Sequence, residues 1–252
     1  MSDAKHDLPD DEFFVGYLPV PKRLTRFLVT SLAIILCGGA VLDSLVAGRQ
    51  RDPGSGSWDL TQAPTIEGVL HVQPYPSLTV DRDHLRKMIL VGEGKVGANS
   101  AQLQPLDGRR IRIRGHLIER EGRTILEIES TPELLDETIH ANPTISNVSP
   151  ITLVGEVIDP KCFHGAMKPG EGKTHKACAS LCLRGGIPPM FLGTAGTCYL
   201  IVDESANALS REGLEELIEV VGERVQVQGE AGMIEGQAIL KIGPHAFHRL
   251  NL

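Results

Sequence analysis

The sequence predicts a mainly β protein: one N-terminal transmembrane helix followed by two small β-barrels, the second with a Cys/His-rich helical insertion. Three observations carry this. Residues 27–48 read FLVTSLAIILCGGAVLDSLVAG, a largely apolar run whose only charge is Asp43. Two later stretches repeat one strand pattern at a fixed spacing, so that Ile111 and Val225, 114 residues apart, hold the same place. Four of the five cysteines, Cys162, Cys178, Cys182 and Cys198, fall in the second copy, where the spacing between the copies also changes.

The composition sets the class. Among 252 residues, 25 Lys and Arg stand against 32 Asp and Glu, a net charge of −7. An acidic balance argues against a nucleic-acid partner, and a 41% hydrophobic content is too high for a disordered chain. The 27 glycines and 16 prolines favour many short elements joined by turns.

Residues 1–26 form the expected cytoplasmic tail, and 27–48 the membrane helix. At about 1.5 Å per residue, 22 residues make a helix of roughly 33 Å, enough to cross a bilayer. A cleaved secretory signal has the same basic, apolar, small-residue order. The length of the run and the long leader before it favour an uncleaved anchor. Lys22, Arg23 and Arg26 precede the span, against Arg49 and Arg51 after it. By the positive-inside tendency this puts the N-terminus in the cytoplasm and the following domains in the periplasm, on a single-pass inner-membrane protein. Within the tail, Phe13, Phe14, Tyr17 and Leu18 read either as an interfacial aromatic belt against the lipid bilayer or as a docking strip for another membrane subunit.

After a Gly/Ser-rich linker at 49–64, residues 65–129 and 151–252 carry the repeat, with a Pro-containing linker at 130–150. Gly108-Arg-Arg-Ile111-Arg-Ile113-Arg-Gly115 and Gly122-Arg-Thr-Ile125-Leu126-Glu-Ile128 match residues 222–229 and 236–242, position by position. Upstream, Gly68 matches Gly155 at a spacing of 87, so the second copy has gained 114 − 87 = 27 residues after its first strand. The period-two alternation of Ile111 and Ile113, and of Val225 and Val227, predicts half-buried strands. Residues 211–221, REGLEELIEVV, place Leu214, Leu217, Ile218 and Val221 at helical spacing. This pattern, present in both copies, resembles the OB-fold, which implies a small closed barrel with a capping helix at 211–221. An anchor followed by an outer barrel also resembles the periplasmic haem chaperone of cytochrome c maturation. That family attaches haem through a His with a nearby Tyr, whereas Pro244-His245-Ala246-Phe247-His248 here has no Tyr.

The gained residues coincide with the insertion at 159–190. Thr174 as N-cap and Gly185 as stop predict a short helix at 175–183. On it His175, Cys178 and Cys182 share one face, and Cys162 leaves the first strand nearby, with His164, Met167 and Cys198 in reserve. Three thiols and an imidazole suit zinc; thiolate with thioether suits copper; thiolates also hold iron–sulfur clusters. An even number of cysteines in an oxidising compartment equally suits two disulfides, with Cys162 and Cys198 as bridging partners because a Cys178–Cys182 bridge within one helix is poorly placed. Metal, disulfide and reactive-thiol readings stay open. Gly172-Lys173-Thr174 is no phosphate loop, because Met167 stands where its first glycine is needed.

No hydrolase or metalloprotease motif occurs. The leading expectation is a non-catalytic accessory subunit whose outer barrels stabilise a larger membrane complex, respiratory or photosynthetic. A metal-binding or electron-transfer protein, and a thiol or metal chaperone, are the alternatives.

Overall fold

A computed structural model describes residues 20, 22–48, 56–82 and 84–250. The chain divides into two compact units, Met1–Asp52 and Pro53–Leu252. In the first, helix α1 (Lys22–Ala47) takes up the apolar run, and its Phe27, Ile34, Ile35 and Leu42 side chains are exposed. Its Leu24–Ala47 stretch is long and apolar enough for a membrane span or a signal sequence. The strip Phe13, Phe14, Tyr17 and Leu18 lies outside the described residues.

The second unit holds two five-stranded barrels. A two-residue strand β1 (Ser57–Trp58) precedes the first, made of β2 (Thr65–His71), β3 (Ser77–Arg82), β4 (His84–Val91), β5 (Arg110–Arg120) and β6 (Arg123–Ile128). A short helix α2 (Ser100–Leu103) stands before β5. The strands run β5-β2-β3-β4-β6, and β6 closes on β5. All these pairs are antiparallel except β4 with β6. Strand β7 (Glu133–Asp136) adds to β5.

The second barrel repeats this plan. Its strands are β8 (Ser146–Ile158), β9 (Met190–Gly193), β10 (Cys198–Asp203), β11 (Val225–Ile234) and β12 (Gln237–Ile242). Again β10 and β12 are the one parallel pair, and β12 closes on β11. A last strand β13 (Phe247–Arg249) pairs with β11. The register follows the repeat: Gly68 lies opposite Ile111, and Gly155 opposite Val225. Helix α4 (Arg211–Val220) forms where its period-3.6 pattern requires, with Ser210 Oγ accepting from the Gly213 N–H. It buries Leu217, Ile218 and Val220 against the second barrel's interior, beside Val157, Phe191, Val225, Val227 and Leu240.

The segment 130–150 holds β7 and the start of β8. The insertion is placed between β8 and β9, where the first barrel has only the short connection 72–76. It is helical only in part: a π-type turn at Cys162–Ala166, a 3-10 turn at Lys173–His175, and one helix, α3 (Lys176–Arg184). Thr174 sits inside the 3-10 turn, and no side chain caps α3. Gly185 ends the helix as expected.

The barrels share a core. Ile89, Val91, Ile118 and Ile125 of the first pack with Leu200, Val202, Ile234 and Ile239 of the second. Ile125 and Ile239 are equivalent positions of the repeat, and each is followed by a leucine, Leu126 or Leu240, that fills its own barrel. Strands β6 and β12 are therefore buried on both faces. Phe163 and Ile187 of the insertion complete this seam, together with the Cys162 and Cys182 side chains.

Candidate metal centre

Strand β8 ends at Ile158, and Asp159 turns the chain. Its Oδ1 accepts from the Lys161 N–H at 2.9 Å and the Cys162 N–H at 3.4 Å. That Asx-type turn tightens into the π-type turn, where the Phe163 N–H reaches the Asp159 carbonyl at 3.0 Å. Gly170 packs on it so closely that a Cβ would meet the Cys162 carbonyl oxygen at 2.5 Å. The Cys162 side chain is thereby fixed facing α3, which carries Cys178 and Cys182 one turn apart.

The sulfurs of Cys162, Cys178 and Cys182 lie within 4.8 Å of one another. A second group of donor atoms, from Asp159, Cys162 and His175, meets the same limit and shares Cys162. Cys162 Sγ stands 3.9 Å from Cys178 Sγ. A disulfide needs about 2.05 Å, and all five cysteines are free. A tetrahedral ion with metal–sulfur bonds of about 2.3 Å separates its ligands by about 3.8 Å, which the Cys162–Cys178 pair matches at 3.9 Å.

Cys162, Cys182, His175 and Asp159 are buried, and Cys178 is the partly exposed member. Asp159 Oδ2 and His175 Nε2 are buried with no hydrogen-bond partner, and they lie 3.9 Å apart. Two orphaned polar atoms in one wall carry a desolvation cost that a shared ligand would remove. The hydrogen bond with Cys182, then burial, then the Asp159 charge hold the Cys162 thiol far above its ordinary range. Burial pushes the Asp159 carboxyl up, but His175, Cys162 and Cys182 together outweigh it and bring it below its usual value. The donor set is thus three sulfurs, an imidazole and a carboxylate.

The first barrel reaches this cluster. Lys95, between β4 and α2, places Nζ 2.6 Å from Cys178 Sγ and 3.8 Å from Cys182 Sγ. The hydrogen bond to Cys178 raises the Lys95 ammonium above an ordinary lysine. Nearby, Lys161 Nζ is buried and gives hydrogen bonds to the Gly92 and Gly94 carbonyls at 2.8 and 2.7 Å. It meets the Glu127 carboxylate at 2.9 Å, at an angle that makes an ion pair but no hydrogen bond.

Of the residues singled out in the sequence, Cys162, Cys178 and Cys182 converge, and His175 joins through Cys162 and Asp159. His175 precedes α3 instead of lying on it. His164 is buried, with Nδ1 2.6 Å from the Pro160 carbonyl, and burial lowers its pKa to about 4. It lines a cavity of about 300 Å³ with Lys87, Arg123, Met190 and Glu235. Met167 is half exposed, and Cys198 lies in the seam, its thiol pushed up to about 11 by burial. Neither belongs to a ligand group among the described residues. Asp159 and Lys95 are the two members the sequence reading missed. Asp159 had one legible signal, a carboxylate at the start of the insertion directly before Pro-Lys-Cys. Comparison with protein-family models, with curated proteins and with solved structures finds no match.

Proposed function

We propose that this chain is a membrane-tethered metal-binding protein whose second barrel holds a thiophilic dication, zinc by preference, at Cys162, Cys178, Cys182 and His175. The observation that carries the reading is the convergence of three sulfurs within 4.8 Å of one another, beside His175 and Asp159, whose Nε2 and Oδ2 are buried without a hydrogen bond. Asp159 holds His175 from behind or replaces it as the fourth ligand. Copper(I) and an iron–sulfur cluster use the same thiolates, but three thiolates leave more net charge on a monovalent ion. The barrels support a binding role: the strand order and the single parallel pair follow the OB-fold connectivity. On this reading α1 is an uncleaved anchor, and the barrels face the periplasm.

The test is elemental analysis of the full chain, solubilised in detergent under anaerobic conditions. One zinc per chain is expected, lost in Cys178→Ser and Cys182→Ser. Metal-free protein with intact thiols, which takes up no added zinc, would refute the proposal; copper or iron would change the ion and keep the site.

A second reading, an accessory subunit of a larger respiratory or photosynthetic membrane complex, is favoured by the exposed apolar face of α1. It predicts co-migration with other membrane subunits on native gels after gentle solubilisation. A lone species would refute it.

A further inference from the structure

Resting on the reading of this cluster as a metal site, we infer that Lys95 of the first barrel is its charge-balancing partner, so that the ion is held between the two barrels and not by the second alone. Three thiolates and one dication leave a net charge of −1, with His175 neutral as the fourth ligand, and the adjacent Asp159 carboxylate brings the cluster to −2. Cys162 and Cys182 are buried, where such a charge is costly without an adjacent cation, and Cys178 opens the site to the exposed rim where Lys95 stands. Lys95 Nζ is the cation at hand, 2.6 Å from Cys178 Sγ. Among the described residues no carboxylate lies within ion-pair distance of it. Lys161, the other nearby ammonium, is already committed to Glu127 and two carbonyls.

The placement of Lys95 is built in, because the loop that carries it is clamped on both sides by the insertion. Before it, the Gly92 and Gly94 carbonyls accept from Lys161. After it, the Gly97 N–H donates to the Gly185 carbonyl at 2.9 Å. The Lys95 carbonyl oxygen itself rests on Gly185, where a Cβ would come within 1.9 Å of it. A Gly92 N–H to Val96 carbonyl bond of 2.9 Å closes the loop between these anchors. A lysine on a freely moving loop would have no reason to meet the sulfurs; this one is delivered to them by four contacts of the loop backbone with the insertion and one bond that closes the loop.

Lys95 is therefore a positioning residue that acts through Cys178 and Cys182. The test measures zinc affinity of the detergent-solubilised full chain by competition with a chromophoric chelator. The sulfur-to-metal absorption band of the cobalt(II)-substituted protein is recorded alongside. Lys95→Met is expected to weaken zinc about 10–100-fold, the usual range for outer partners of ligands, and to shift the cobalt band. Lys95→Arg, which keeps the charge, is expected to weaken it less. Lys95→Gln serves as the second neutral variant should Lys95→Met fold poorly. Zinc binding within threefold of the parent in both neutral variants, with Cys178→Ser still abolishing it, would overturn the role of Lys95 and leave the metal site standing. A parent that binds no zinc would overturn both.

Discussion

Lys161→Met is the sharpest perturbation of the seam between the barrels. The lysine and Glu127 side chains are 2% and 6% exposed, and the ammonium is held by one carboxylate and two carbonyls. Methionine keeps most of the stem's volume but leaves the Glu127 charge buried and alone. Removing one partner of a buried ion pair costs about 3–5 kcal/mol. For a folded unit of about 200 residues, 1 kcal/mol moves the melting temperature by about 2–4 °C, so the expected fall is about 6–20 °C. The assay is thermal unfolding of the detergent-solubilised chain followed by circular dichroism, with Glu127→Leu and the double variant completing the cycle. Because a buried pair replaced by apolar groups is often neutral, the double variant should melt well above Lys161→Met alone. A fall below about 2 °C in the single variant, or a double variant no better than the single, would refute the claim that this pair joins the barrels.

Stripping the metal with a chelator should lower the melting temperature. A site saturated at a thousand times its dissociation constant stabilises by about 4 kcal/mol, roughly 8–16 °C here, and readdition of zinc should restore it. Gly97→Ala should cost about 2–3 kcal/mol in urea unfolding, because the new Cβ would sit 2.0 Å from the Gly186 carbonyl with backbone on both sides; an unchanged midpoint would mean the loop does not lie on α3. Burial raises the Cys198 thiol from about 9 to about 11, so its contribution is whole below pH 9 and is lost as pH rises through 11. Between those values the parent should lose about 3 kcal/mol more than Cys198→Ala, read as the difference in their urea midpoints across that range.

The barrels were legible because a repeat constrains register: equal spacing of Ile111 and Val225 required the same strand to pair in the same way, and both do. Helix α4 was legible from its own periodicity and cap. The seam was not read, although a signal existed. Ile125-Leu126 and Ile239-Leu240 break the alternation, and adjacent apolar residues on a strand mean both faces are buried. The insertion was legible as a set of ligands but not as a shape. Helical spacing brings Cys178 and Cys182 together, whereas the place of Cys162 depends on the Asp159 turn and the close packing of Gly170. That same turn directs His164 to the Pro160 carbonyl, away from its sequence neighbour's partners. Lys95 was beyond reach, since a lysine among glycines in a barrel loop is exposed here as the sequence suggests, and only the placement of the other barrel brings sulfurs to it.

On the proposed reading, the insertion's position explains why ligation and docking use the same residues. The two barrels meet through equivalent strands, Ile89 beside Ile125 in one and Leu200 beside Ile239 in the other. Equivalent connections at the end of this seam would be short loops on both sides, as residues 72–76 are, and would leave the apolar edges open. Only one copy carries the insertion, which fills that edge with Phe163 and Ile187 and turns Cys162 and Cys182 inward with them. A buried thiol packs as a small apolar group, so under the proposed function these two cysteines would serve the core in the metal-free state and the ion in the loaded one. Metal binding then favours the docked barrels, because undocking would remove Lys95 from the thiolates and open the site to water. By linkage, metal binding favours docking by the same factor as docking favours metal binding, so Lys161→Met, whose lost ammonium touches no ligand, should lower metal affinity once it populates the undocked state.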